Sequence, residues 1–424
     1  MPIQPEFRQA RYPIWTPDGK HLLFTGVREP GGDFDWWVAA TEGGPAVRTG
    51  ARKLVGSAVF APKAWIGKEV LYSATAGDAS NLWTLTISPR NWRVSGEPRR
   101  LTFGAGSEVD PSVSSAGQVV FSALVSASDL WSLPADANHG RAAGELRRIT
   151  QEPASHRQVS LSRDGQKVAY LIGEGGKERI RVKDLGTGKE TALTESPDGQ
   201  GYPTFSADGS KVLLTDSVSA QFPLYVVAAQ GGVAEKVSER GGLAAHWSTG
   251  GRYVVYDRGV PRHIGALDLT TGVTVEILKH PKYGVLQAQL SPDDRWVGFA
   301  VQTSHESTRL MVAPFRGATP VPETEWVALT DEIGFSVRPR WSPDGNILYF
   351  VSNRDAFNCI WGVRLDPSTK RPAGLPFALR HFHNHRLTLM TPPTLGFGVA
   401  RDKMVFNMQE RSGNIWTFQL SQEN

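Results

Sequence analysis

The sequence predicts an all-β protein, a β-propeller of four-stranded antiparallel blades. Three observations lead to it. A Trp-Ser-Pro-Asp-Gly-type turn recurs along the chain, a short apolar strand follows each copy, and the copies stand roughly 40–50 residues apart. The clearest copies run from Pro13 through Trp15 to Gly19 and from Pro339 through Trp341 to Gly345. Others in the same frame are anchored at Leu161, Phe205, Trp247 and Leu290, with degenerate, shorter-turned copies at Trp65, Val113 and Val399. These anchors imply about nine repeat units, eight or nine blades, in a single propeller domain over residues 1–424.

Each element of the unit has a physical reason. The apolar anchor ends the innermost strand. In the turn, Pro presets φ at the second position and Gly takes the positive φ that closes the hairpin. The apolar run behind it is the second strand. A third strand carries an aromatic, as at Trp83, Trp131, Tyr225, Trp361 and Trp416. Turns at Gly43, Gly231 and Thr271 then lead to an outer strand ending in Leu-Thr or Ile-Thr, as at Leu101, Ile149, Leu193 and Leu329. A further Ser-Pro-Asp-Gly at Ser196 has no apolar strand after it and reads as a loop. Residues 1–4 occupy an outer-strand slot relative to Trp15, while the last repeat ends on a third strand at Trp416. The N-terminal strand is therefore expected to complete the last blade and close the ring, removing two exposed sheet edges. A chain cut from a longer propeller array is the alternative.

Charge and composition narrow the function. The 46 Lys+Arg against 42 Asp+Glu give a net +4 with no dense basic run, so no nucleic-acid partner is expected. Cys359 is the only cysteine and makes no internal disulfide. No apolar stretch is long enough to insert in a membrane, and the first residues lack the charged and apolar regions of a secretory leader. The expected compartment is the cytoplasm if the chain is complete, and periplasmic or extracytoplasmic if it belongs to a longer receptor.

These motifs resemble the TolB-type, WD40-like propeller repeats along essentially the whole chain. They are most similar to the C-terminal propeller of bacterial receptor-type serine/threonine kinases, on the segments Asp129-Leu-Trp-Ser-Leu-Pro134, Leu348-Tyr-Phe-Val-Ser-Asn-Arg354, Phe377-Ala-Leu-Arg-His-Phe-His383 and Gly413-Asn-Ile-Trp416. The resemblance implies a non-catalytic sensor or interaction module that binds a protein, peptide or small molecule, with no cofactor. The kinase's own signatures, a glycine-rich loop, His-Arg-Asp and Asp-Phe-Gly, do not occur.

Candidate residues follow from where ligands meet propellers, on the face of loops between blades and between second and third strands. The histidines at 156, 263, 280, 305, 381, 383 and 385 map there, and the binding candidates are Tyr202, His263, His280, Tyr283, Arg338, His381 and His383. Alternate spacing puts His381, His383 and His385 on one side of an extended segment, which makes them secondary metal candidates. With no carboxylate or cysteine beside them in sequence, structural or polar loop histidines are the preferred reading. A metal-dependent carbohydrate-active propeller of the oligogalacturonate-lyase type is the alternative function, with Arg262, Arg338 and Arg354 facing an acidic sugar. Cys359 reads as a buried structural thiol, the turn aspartates as turn residues rather than calcium ligands, and the tryptophans as filling between blades. No Gly-x-Ser-x-Gly nucleophile elbow is present.

Overall fold

In the structure, a computed structural model that describes residues 6–28, 33–55, 61–76, 79–104, 106–152, 154–174, 177–193, 200–304, 307–391 and 394–420, one hydrogen-bond pattern holds the repeated turn. Ser342 Oγ donates to Asp344 Oδ1 (2.5 Å), which also accepts the Asn346 N–H (3.1 Å). Gly345, at φ +71°, donates its N–H to Ser342 O (2.9 Å). The pairs Thr16/Asp18, Ser162/Asp164 and Ser206/Asp208 repeat it. Hydroxyl donation from Thr16 and Ser206 is the main reason the Asp18 and Asp208 carboxyls are lowered to about 2. These aspartates are engaged by the turn itself. The second Ser-Pro-Asp-Gly, at Ser196, lies outside the described residues, as do His305 and residues 1–4.

The chain forms two compact units, Met1–Ser126 with Arg411–Asn424, and Ala127–Glu410. In the first, the strands Gln9–Trp15, His21–Val27, Asp35–Ala40 and Val47–Arg48 make one antiparallel sheet, and Pro62–Ile66, Glu69–Ala76, Ala79–Thr86 and Arg99–Arg100 pair in order as the next. Trp36 meets Tyr72 edge-on between them (5.3 Å). Trp15 departs from the expected filling role. It is 60% exposed, because alternation turns its neighbour Ile14, not Trp15, towards the next sheet.

In the second unit, five repeats each pair four strands antiparallel, with inner strands Ser155–Leu161, Gln200–Phe205, Leu243–Trp247, Gly284–Leu290 and Ser336–Trp341; the last four stand as separate sheets, and the first is also bridged in parallel at Ser155 to Ser128. Successive sheets bury apolar faces on one another, through Leu171 and Phe205, Leu213 and Tyr256, Ile264 and Phe299, then Leu310 and Phe350. No described helix is long and apolar enough to cross a membrane.

The third and last repeats depart from the expected pattern of one repeat, one blade. Between their second and third strands neither has a tight turn, so nothing reverses the chain. Each runs straight on, as Gln118–Asp136 and Lys403–Gln419, and the two long strands pair with each other. Within the second unit this makes a composite sheet. Phe397–Val399 pairs with residues 404–406, Ala135 N–H donates to Asp402 O (3.0 Å), and Trp131 lies opposite Arg148. The composite sheet packs on the first sheet of the unit through Leu130, Val405 and Tyr170, and on the fifth through Phe406, Tyr349 and Ile360. Within the first unit, Phe418 packs on Phe121 and Leu420 N–H donates to Gly117 O (3.1 Å). Trp416, expected in the last repeat's own blade, thus lies on the continuation of the strand into the first unit.

Candidate functional site

All six inner strands of the second unit line one polar channel. Its wider chamber, about 160 Å³, is bordered by Ser160, Thr204, His246, Gln289, Arg340 and Gly398, each one residue before an apolar anchor. The adjoining chamber, about 50 Å³, is bordered by Gln158, Tyr202, Ala244, Gln287, Arg338 and Gly396, each three residues before an anchor. Strand alternation puts these two positions on the same side.

A bulge recurs at the outer of the two positions. φ is positive at Gln158 (53°), Tyr202 (55°), Ala244 (50°), Gln287 (60°) and Arg338 (56°), and the strand register shifts beside each. A bulge takes an amide out of the ladder, and that N–H needs another acceptor. A neighbouring sheet supplies it. Gln158 Oε1 accepts from Tyr202 N–H, Asp257 Oδ1 from Gln287 N–H and Gln287 Oε1 from Arg338 N–H, all at 2.7 Å. The composite sheet differs, with glycines in both positions. A Cβ on Gly396 would stand 2.0 Å from Val159 N, and one on Gly398 2.5 Å from Leu161 Cβ, so this strand approaches the first inner strand as only glycine allows.

The channel holds buried arginines. Arg340 reaches across three sheets, donating from Nε to Phe397 O (2.5 Å) and from Nη1 to Pro339 O (2.8 Å) and Gln289 Oε1 (3.4 Å). Burial, then the Arg338 charge, pulls its guanidinium down to about 9. Burial also lowers Arg338. His246 is held at about 3 by burial and by Arg340, so it is neutral, with Nε2 3.1 Å from the Gln289 amide nitrogen. Beside the channel, on the Gln287 N–H, lies Asp257, which burial raises to about 7 against the pull of that N–H, Arg262 and Arg338. Arg338 and Arg262 bear on this carboxyl, while Arg340 is bonded to neutral oxygens.

Of the residues singled out from sequence, Tyr202 and Arg338 line this channel. His263 lies at a strand start, Nε2 3.3 Å from Glu276 Oε1. His280 accepts the Lys282 and Tyr283 N–H groups at Nδ1 (3.0 and 2.9 Å) and packs on the Tyr283 ring. His156 is buried, its Nδ1 on Ser128 O (2.6 Å). His381 and His383 meet at Asp355, away from the channel, while His385 lies against Phe357. A carboxylate does accompany the histidines, then, brought from another loop. Cys359 is buried, with its thiol raised to about 11 by burial. Arg354 stacks on Trp361, next to His381, whereas Arg262 pairs with Asp257. Sequence reading by loops misses Gln158, His246, Asp257, Gln287, Gln289 and Arg340. All but Asp257 carry a signal, a polar residue one or three places before an anchor.

No family model and no curated protein matches the chain. Among solved structures it is similar to a TolB from Agrobacterium tumefaciens, at 16% identity over 70% of this chain and 100% of that one, with a TM-score of 0.47. It is similar also to TolB from Acinetobacter baumannii (14% identity, 80% and 81% covered, TM-score 0.46) and to the Swd1 β-propeller domain from Myceliophteria thermophila (14%, 55% and 75%, TM-score 0.39). By its own strand order and sheet packing, the second unit stacks four-stranded antiparallel sheets face to face as the blades of a β-propeller do.

Proposed function

We propose that the second unit is a six-bladed ring, closed by the composite sheet, that binds the anionic group of a peptide or small-molecule ligand in its channel and acts as a non-catalytic interaction module. The observation that carries this reading is the buried guanidinium of Arg340 in the channel, whose hydrogen bonds go to the neutral oxygens of Phe397, Pro339 and Gln289. Burying guanidinium groups is costly unless an anion meets them, and planar donors suit a carboxylate. Tyr202 stacks or donates at the narrower end, and Gln158, Gln287 and Gln289 orient the bound group. His263, His280 and Tyr283 form a rim on the connections between second and third strands or between sheets, which sets selectivity by packing.

Calorimetric titration with citrate and with a short acidic peptide tests the reading. The wild-type chain is expected to bind at least one of these, and Arg340→Gln to weaken that binding by about tenfold or more through loss of a charge-assisted bond. Binding by neither probe, or equal binding by the variant, overturns it.

A further inference from the structure

Away from the channel, four metal-type donors converge beside the strand Cys359–Arg364. They come from three pieces of chain. Asp355 lies in the connection after Ile347–Ser352, Cys359 opens the next strand, and His381 and His383 follow Phe377–Arg380. Phe382 explains their convergence. Its side chain is buried against Phe406 and its N–H donates to Cys359 Sγ (3.3 Å), so alternation turns the flanking histidines together to the other side. Both rings then reach one carboxylate oxygen. Asp355 Oδ2 is 2.7 Å from His381 Nδ1 and 2.9 Å from His383 Nε2. The other oxygen, Oδ1, is buried without a hydrogen-bond partner.

We infer that Asp355, Cys359, His381 and His383 form a binding site for a divalent transition-metal ion of the Zn²⁺ class. One donor atom from each residue already lies within 4.8 Å of the others. Tetrahedral zinc, with bonds of about 2.0–2.3 Å, places its ligand atoms roughly 3.5 Å apart. The needed contraction is borne by the two half-exposed imidazoles, each of which turns a ring nitrogen to the ion. Two imidazoles, a carboxylate and a thiolate are a donor set for zinc, and too soft for calcium or magnesium. A histidine–aspartate–histidine hydrogen-bond chain without metal accounts for the 2.7 and 2.9 Å contacts, but not for the buried, unpartnered oxygen or for the thiol on the same group. The ion would clamp the loop before Cys359 to the segment after Arg380, with the histidine side open to solvent.

The test uses the full chain, stripped with chelator and kept reduced, and Zn²⁺ and Co²⁺ as probes. One equivalent of Zn²⁺ is expected by calorimetry, weakened roughly a hundredfold or more in His383→Ala and Asp355→Asn. Bound Co²⁺ should show a thiolate charge-transfer band that Cys359→Ser abolishes. Cys359 is buried, so the two loop variants, checked for unchanged circular dichroism, decide the matter if Cys359→Ser fails to fold. Absence of stoichiometric binding, binding unchanged in both loop variants, or a wild-type Co²⁺ complex without the thiolate band overturns the inference. Arg340→Gln should bind Zn²⁺ like wild type, which separates this site from the channel.

Discussion

Asp257 shows how much one residue beside the channel can be asked to do. Its Oδ1 holds the Gln287 N–H that the bulge has released, while burial raises its pKa to about 7 from an ordinary 3.8. Between about pH 4 and pH 7 the folded chain therefore keeps a proton that the unfolded chain has lost, and stability falls as pH rises through that window. Asn keeps the acceptor and does not titrate. Asp257→Asn should gain on wild type between pH 5 and pH 8, by up to about 2–4 kcal/mol given the size of the shift. Chemical denaturation at the two pH values checks it; a constant difference between the proteins would place the charged form in the fold. The turn aspartates have the opposite sign, being lowered by their hydroxyl partners, and they belong to the scaffold.

At the scale of elements, two strands decide the architecture. Gln118–Asp136 and Lys403–Gln419 lack the mid-repeat reversal found elsewhere, so the third and last repeats lend strands to each other. The seam beside them depends on glycine. Gly396→Ala would push a methyl group into the Val159 backbone, and overpacking of this kind costs roughly 1–3 kcal/mol. Urea unfolding should register that loss for Gly396→Ala, while Gly272→Ala, at an exposed turn with open space, reports only the cost of positive φ. Equal effects would mean that the inner strands of the seam are not tightly apposed. The nine repeats were legible from sequence because every copy needs the same turn and the same anchor. Their pairing was not, since a missing turn reads as degeneracy rather than as a strand that continues.

For the molecule as a whole, the channel draws one residue per tier from each of six sheets, so a ligand seated there is felt by all of them. Ligand that binds only the folded unit at about one hundred times its dissociation constant adds about 2.7 kcal/mol to its unfolding free energy. Hydrogen exchange with the anionic probe bound should slow at the inner strands Ser155–Leu161 through Ser336–Trp341 and leave residues 9–86 unchanged. Protection confined to one sheet would point to a surface site instead.

By itself the sequence determined the all-β class, the four-stranded unit, the turn chemistry and the anchors, because these are local and repeated. It also pointed to Tyr202 and Arg338. Tertiary structure alone decided the rest. Which strands pair across hundreds of residues, that polar residues before the anchors meet in one channel, and that Asp355 and Cys359 join His381 and His383 all depend on packing between segments distant in sequence. Periodicity says where a side chain points within its own strand. It does not say what it will face.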